Sequence, residues 1–320
     1  RNFVCKYSQA AFVRVAEGVL RSADEADAES GLAHMHEHML FKGTERRGVG
    51  EIAAEIEAAG GDINAWTSLD QTVFHLVISS RFWERGLDVL ADAVTAPSFD
   101  PEELEKEREG ILEELRSAKD LPSREVNRQL FEAAYPDHPY GRPVLGIEET
   151  LSGFGRDEVL DFYRKWYRPS RVVLAVAGGV KADEVFARAE RRLAGWSVAG
   201  PTPEVAAPEV PSTSGPTVRV GRDRISEAHV ALGFLIPEAT HPDVPALDVL
   251  SILLGQGESC RLNQEVRRKR RLVNDVQAFA YTPRLPGQLL LGATAGAAGA
   301  EGAVAVTVAR YATPSGGDLN

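Results

Sequence analysis

The sequence predicts an α+β fold in two domains. Three observations carry this. Helix and strand periodicities alternate through residues 31–193, a proline-rich connector occupies residues 197–216, and the composition, 43% apolar and 26% charged over 320 residues, is that of a globular chain with room for two cores. Within the first domain, residues 1–196, the stretch 31–42 reads as a helix that Gly43 ends. Residues 51–59 form a short helix closed by Gly60-Gly61, and 62–67 and 72–78 are β-rich runs around a turn near Asp70. A helix covers 81–94. Asp100-Pro101-Glu-Glu103 is a strong helix start, with Asp as N-cap and Pro at the first position, and that helix runs to about Ser117. Residues 123–134 and 157–166 are further helices, 172–177 a buried strand, and 182–193 a closing helix. Helices packed on an antiparallel or mixed sheet follow from this mixture. The connector holds Pro201, Pro203, Pro208, Pro211 and Pro216, which makes it semi-rigid and extended. The second domain, 217–320, shows strand signals at 217–220 and 229–234 and a helix at 244–254.

Composition also excludes function classes. A net charge of −11 argues against nucleic acid as a partner, because phosphate binding needs a basic surface. No apolar run approaches the length of a membrane span, so no transmembrane role is expected; the compartment is left open, with a soluble protein of the bacterial cytoplasm or periplasm as the expectation. Cys5 and Cys260 make no disulfide framework and no Cys-x-x-Cys pair, so both read as plain thiols. The start at Arg1 and the closing Pro314-Ser-Gly-Gly-Asp-Leu-Asn320 read as points inside a longer architecture.

The chemistry concentrates between residues 34 and 38. On a helix, residues four apart share a face, so His34 and His38 present two imidazoles side by side, with Glu37 bordering them. A catalytic zinc takes three protein ligands and a water, and this spacing is the inverted zinc motif His-x-x-Glu-His. The third ligand must come from elsewhere in the fold. Glu114 is the best candidate, on the capped helix that starts at Pro101, with Glu107 seven residues earlier on the same face. One of the pair binds metal while the other orients a ligand from behind. Taken alone, the Glu-rich run 102–114 reads as a solvated helix face; the apolar positions Leu104, Ile111, Leu112 and Leu115 fix its buried side, and Glu107 and Glu114 flank it. His36 points to another face, and His75, His138, His229 and His241 have no partner spacing, so all default to structural or exposed roles.

The segment Gly31-Leu-Ala-His34-Met-His-Glu37-His38-Met-Leu-Phe-Lys-Gly-Thr44 resembles the zinc helix of the pitrilysin, insulinase and mitochondrial processing peptidase family. Glu107-Arg-Glu-Gly-Ile-Leu-Glu-Glu114 is similar to that family's downstream segment. The likeness extends through Asn64-Ala65-Trp66-Thr67, Gly141-Arg-Pro-Val-Leu-Gly146 and Tyr167-Arg-Pro169, and past the connector into Arg261-Leu-Asn-Gln-Glu-Val-Arg267-Arg-Lys. The resemblance implies two related α/β-roll halves, with helices on one face of each sheet, forming half of a clamshell. It implies one zinc per chain on His34, His38 and Glu114, with Glu37 and Glu107 catalytic. It implies a peptide substrate added as a strand along Asn64 and Ala65, and contacted by Arg267. Taken alone, Asn64 reads as a turn residue and Arg267 as one more charge in Arg267-Arg-Lys-Arg-Arg271. The family carries a Tyr seven residues after that Arg, where this chain has Asn274. The stretch before His34 is short for the strands the family places there, and the second half is shorter than the family's.

The reaction that follows is hydrolysis of unfolded peptides by a zinc-activated water, with Glu37 as general base. Two alternatives stand beside it. The chain is the zinc-bearing subunit of a peptidase that needs a related partner, as a homo- or heterodimer, or it is an inactive peptide-binding or structural homologue. Structural zinc fits poorly, because such sites use four Cys and His ligands and the cysteines here lie far from the motif.

Overall fold

The chain begins its described course with a strand, β1 (Ala10–Glu17), and enters the helices α1 (Leu32–Met39) and α2 (Glu51–Ala58). The hairpin of β2 (Asp62–Thr67) and β3 (Thr72–Ser79) follows, then α3 (Trp83–Thr95) and α4 (Pro101–Lys119). Next come α5 (Pro122–Ala134), α6 (Glu148–Gly153), α7 (Arg156–Trp166), β4 (Val173–Gly178) and α8 (Ala182–Leu193). The later part holds β5 (Thr217–Asp223), β6 (Glu227–Ile236), α9 (Val244–Gly255), β7 (Asp275–Tyr281), β8 (Gly287–Gly296) and β9 (Gly302–Arg310). The computed structural model describes residues 10–17, 21–204, 208, 216–223, 225–296 and 302–310. Cys5, the connector residues 205–207 and 209–215, and the closing run 311–320 lie outside them.

The fold is α+β. Contacts divide the chain into two compact units, Arg1–Leu115 with Pro143–Ala206, and Arg116–Arg142 with Ala207–Asn320. Among the described residues the first unit holds an antiparallel sheet in the order β2-β3-β1-β4. On β3, Phe74, Leu76 and Ile78 point every second residue into the core, the pattern of a strand covered on one face. Against them pack Leu32, Met35 and Met39 of α1, Leu87, Leu90 and Val94 of α3, and Val159 and Phe162 of α7. On α4 the buried side chains are Leu104, Ile111, Leu112 and Leu115, the four that its apolar spacing singles out. Its start is capped as its sequence predicts: Asp100 Oδ1 accepts from the backbone N–H groups of Glu102 (2.9 Å) and Glu103 (3.1 Å).

Two readings change. The apolar run at 172–177 reads as a buried strand, yet β4 is an edge strand that pairs only with β1 among the described residues, and Val173 is 57% exposed. A continuous apolar run does not say whether both faces will be covered. The helix α5, adjacent in sequence to α4, packs on β6 and β9 and belongs to the second unit, because Val126 and Leu130 are apolar sites that need a sheet to bury them. That unit's sheet runs β5-β9-β6-β8-β7 and is mixed, with β6 and β9 parallel and the other pairings antiparallel. Ile236, Leu247 and Leu289 form its small core, and Cys260 is a buried free thiol.

The loop after α1 is fastened by a network of charges. Thr44 Oγ1 donates to Asp92 Oδ2 (2.6 Å), Arg46 Nε to Asp92 Oδ1 (2.8 Å) and Arg47 Nη1 to Asp92 Oδ2 (2.6 Å). Arg47 also bonds Asp88 and Glu55. Burial opposes the charged form of Asp88, but the guanidiniums of Arg47, Arg192 and Arg46 outweigh it and hold the carboxyl below its usual range. Asp92 is 7% exposed, so its removal leaves the Thr44 hydroxyl and the half-buried Arg47 guanidinium without their shared acceptor in a place water reaches poorly. Denaturant unfolding of Asp92→Ala should show a loss of about 3 kcal/mol, as for one partner deleted from a buried ion pair. Arg85→Ala, which cuts a 4.0 Å contact to Glu55 and an exposed stacking contact over the Phe82 ring, should stay within about 1 kcal/mol.

Candidate metal centre

The site is built on α1, and α1 is held at its N-terminus by a residue the motif does not include. Glu25 is 4% exposed; its Oε1 accepts from the N–H of Ala33 (2.7 Å) and its Oε2 from the N–H of Gly31 (3.1 Å). A carboxylate there satisfies donors the helix cannot use and faces the positive end of its dipole. Gly31 has φ +98°, and a Cβ on it would lie 3.0 Å from the Cα of Gly146, itself at φ +82°. Only two glycines let these backbones meet, and the contact explains why the segment ending at Gly146 belongs with the metal helix.

Four faces of this short helix have separate tasks. Leu32, Ala33, Met35 and Met39 enter the core. His36 is fully buried among Phe99, Phe162 and Tyr167, and its Nδ1 and Nε2 approach the carbonyls of Leu32 (2.7 Å) and Val159 (2.9 Å). Burial lowers its pKa to about 4, so the ring is neutral and donates to one carbonyl at a time. This is a packing histidine, the structural one of the two roles that its place between His34 and His38 suggests.

His34 and His38 stand edge to face with ring centroids 4.7 Å apart. One donor atom each from His34, Glu37 and His38 lie within 4.8 Å of one another. Glu114 is outside that trio but reaches it through His34, with Oε2 3.8 Å from Nε2. His38 Nδ1 is 3.0 Å from Glu107 Oε2, and Lys42 Nζ is 2.6 Å from Glu107 Oε1. His34 is different. Its Nδ1 is buried with no hydrogen-bond partner among the described residues, and its Nε2 lies too far from Glu114 for a hydrogen bond. Burial, and after it the neighbouring His38, lower the His34 pKa to about 4, which leaves a neutral imidazole with one nitrogen lone pair to give. A buried, unsatisfied imidazole beside a second imidazole and two carboxylates fits a divalent cation that takes nitrogen and oxygen donors, zinc foremost.

The carboxylates differ in electrostatics. Burial pushes the Glu37 carboxyl up, the Glu114 charge adds to this, and hydrogen bonds from Thr67 and the proximity of His38 oppose it. For Glu107 burial acts in the same upward sense, but Lys42 and His38 prevail and hold the carboxyl low. The residue suited to take up a proton is therefore Glu37, and the residue suited to remain an anion is Glu107.

Asn64 and Ala65 sit on β2, which pairs with β3 alone among the described residues. The N–H of Ala65 donates to Asn64 Oδ1 (2.8 Å) and so points away from β3. By the alternation of an antiparallel pair, the polar backbone groups of Ile63, Ala65 and Thr67 face the open edge. Thr67, at the end of that edge, also bonds Glu37. Arg267 lies in the second unit, in the π-helical segment Asn263–Lys269, with Nη1 3.6 Å from Glu258 Oε1. Asn274 is committed to the sheet: its N–H donates to the carbonyl of Thr294 (2.7 Å) and its Nδ2 to Glu227 Oε1 (2.7 Å). Glu25, Lys42 and Thr67 are parts of the site that sequence reasoning misses. Lys42 had a faint signal, four residues after His38; Glu25 and Thr67 meet α1 only through the tertiary fold.

An inverted zinc motif on a half-buried helix, beside the open edge of an antiparallel sheet, places the chain in the class of α+β proteins built like zinc peptidases. Within that class it belongs to peptidase family M16, the insulinase family: residues 13–148 match the model "Insulinase (Peptidase family M16)" and residues 153–310 the model "Peptidase M16 inactive domain". The chain is 33% identical to the "Uncharacterized zinc protease YmxG" of Bacillus subtilis over 84% of its own length and 65% of that protein. It is 34% identical to the "Probable mitochondrial-processing peptidase subunit beta, mitochondrial" of Arabidopsis thaliana over 72% of its length and 44% of that protein. A solved protease from Helicobacter pylori superposes with a TM-score of 0.79 at 25% identity, covering 91% of this chain and 71% of that one. The chain spans about three fifths of the length of the curated relatives it matches. No helix among the described residues is long and apolar enough to cross a membrane.

Proposed function

We propose that this chain is the zinc-holding part of a metallopeptidase that hydrolyses unfolded peptides, with one zinc on His34, His38 and Glu114. The observation that carries the reading is the convergence of two imidazoles and the Glu37 and Glu114 carboxylates beside the open edge of β2. When bound, the zinc supplies an acidified water and a positive charge for the oxyanion of a cleaved amide. A peptide strand lies along Asn64 and Ala65, taking the N–H of Ala65 from the Asn64 side chain that now accepts it. Glu37, with its carboxyl pushed up by burial, takes the proton of the attacking water and returns it to the leaving amine. Glu107 holds His38 from behind and so supports catalysis without touching the peptide. Arg267 serves as a second contact to the substrate carbonyl.

Asn274 favours a second reading, in which the chain cuts only when paired. Its side chain bonds Glu227, and no Tyr stands seven residues after Arg267. The relative named as a beta subunit suggests a related subunit as partner, in a homo- or heterodimer. A bacterial cytoplasm or periplasm suits either form. An assay of the chain with an unfolded peptide, alone and mixed with a related M16 chain, separates the readings. Cleavage by the chain alone supports the self-sufficient enzyme, cleavage only in the mixture supports the subunit, and no cleavage in either with zinc bound points to an inactive peptide-binding homologue.

A further inference from the structure

We infer that Lys42 is a positioning residue for the metal site, dividing Glu107 between itself and His38 so that the His38 ring turns Nε2 toward the cation. This rests on the reading of His34, His38 and Glu114 as ligands.

Both oxygens of Glu107 are assigned: Oε1 to Lys42 Nζ at 2.6 Å, Oε2 to His38 Nδ1 at 3.0 Å. A carboxylate with one free oxygen swings about its last torsion, whereas one held at both oxygens presents a fixed acceptor to the imidazole. An Nδ1 that donates to this acceptor leaves the lone pair on Nε2. Lys42 itself is held. The helix α1 ends at Met39, the N–H of Lys42 bonds the carbonyl of Met39 (3.0 Å), and Gly43 then turns at φ +118° into Thr44, which Asp92 anchors. The ammonium is thus carried by the α1 side and its partner by α4. Glu114 stands two turns beyond Glu107 on that same helix, so the Lys42–Glu107 pair braces the two elements that bring the imidazole and carboxylate ligands together. The pair is half-buried, with side-chain exposures of 33% and 18%, which limits screening by water.

The test is zinc affinity, read by competition with a chromophoric chelator. Lys42→Met should weaken zinc binding about tenfold, the lower end of what loss of an orienting partner behind a ligand costs. Lys42→Arg should recover most of it. In a Glu107→Gln background, Lys42→Met should add nothing, because Lys42 acts through that carboxylate. Circular dichroism and the melting temperature of the zinc-free proteins report folding separately, and Lys42→Gln carries the same test where Lys42→Met does not fold. Unchanged zinc affinity in Lys42→Met overturns the inference while leaving the metal site standing. An equal loss in the Glu107→Gln background overturns it too, since Lys42 would then act elsewhere. A native chain that binds no zinc overturns the metal site, and this inference with it.

Discussion

Glu37→Gln should keep its zinc and lose peptide cleavage by at least about 100-fold, the scale of a general base. The amide preserves the size of the side chain and still bonds Thr67, so the helix and the strand edge beside it stay in place. What disappears is the carboxylate that burial suits to take up a proton. The variant also decides between two carboxylates. Glu37 sits inside the trio of clustered donors, whereas Glu114 reaches it only through His34 at 3.8 Å. If Glu37 is the base, zinc measured per chain is the same in Glu37→Gln and falls in Glu114→Gln. The reverse pattern would make Glu37 a ligand, and cleavage retained by Glu37→Gln would remove it as the base.

His38→Ala should take the zinc content from about one per chain to near none and abolish cleavage with it. Two consequences follow from one truncation. An imidazole ligand is lost, and Glu107 loses the Nδ1 it now faces, keeping only Lys42. His36→Ala makes a useful contrast. It empties a space among Phe99, Phe162 and Tyr167, so it should lower the melting temperature. Its ring points away from the site into the core, so whatever folded protein remains should still bind zinc. A His38→Ala protein with full zinc and activity would sink the metal centre proposed here.

Much of the fold was legible because its signals are local. The N-cap at Asp100 and the β-rich run of β3 depend on neighbours in sequence, and the structure keeps both, whereas α1 stops at Met39, short of the Gly43 that reads as its end. The elements that escaped have weak local patterns. The strand β1 has Ala10, Ala11 and Ala16, and β7 to β9 are rich in Ala and Gly, which say little about strand or helix. The unit to which α5 belongs could not be read from its sequence neighbours, since an amphipathic helix shows which face it buries but not which sheet will cover it.

The site divides along the same line. By itself the sequence determined the pairing of His34, Glu37 and His38, because a helix brings residues three and four apart onto one face whatever surrounds it. It determined the phase of α4 too, since Leu104, Ile111, Leu112 and Leu115 leave Glu107 and Glu114 at the margin of the buried side. Only the tertiary structure decided that Glu107 stands behind His38 while Glu114 comes up to His34, that Lys42 closes the chain of contacts, and that Glu25 and the Gly31–Gly146 contact seat the helix. Apart from Glu25, which reaches N–H groups only six and eight residues away, these are meetings between segments dozens of residues apart. Their geometry is set by how whole elements pack around the core, and no local spacing records that.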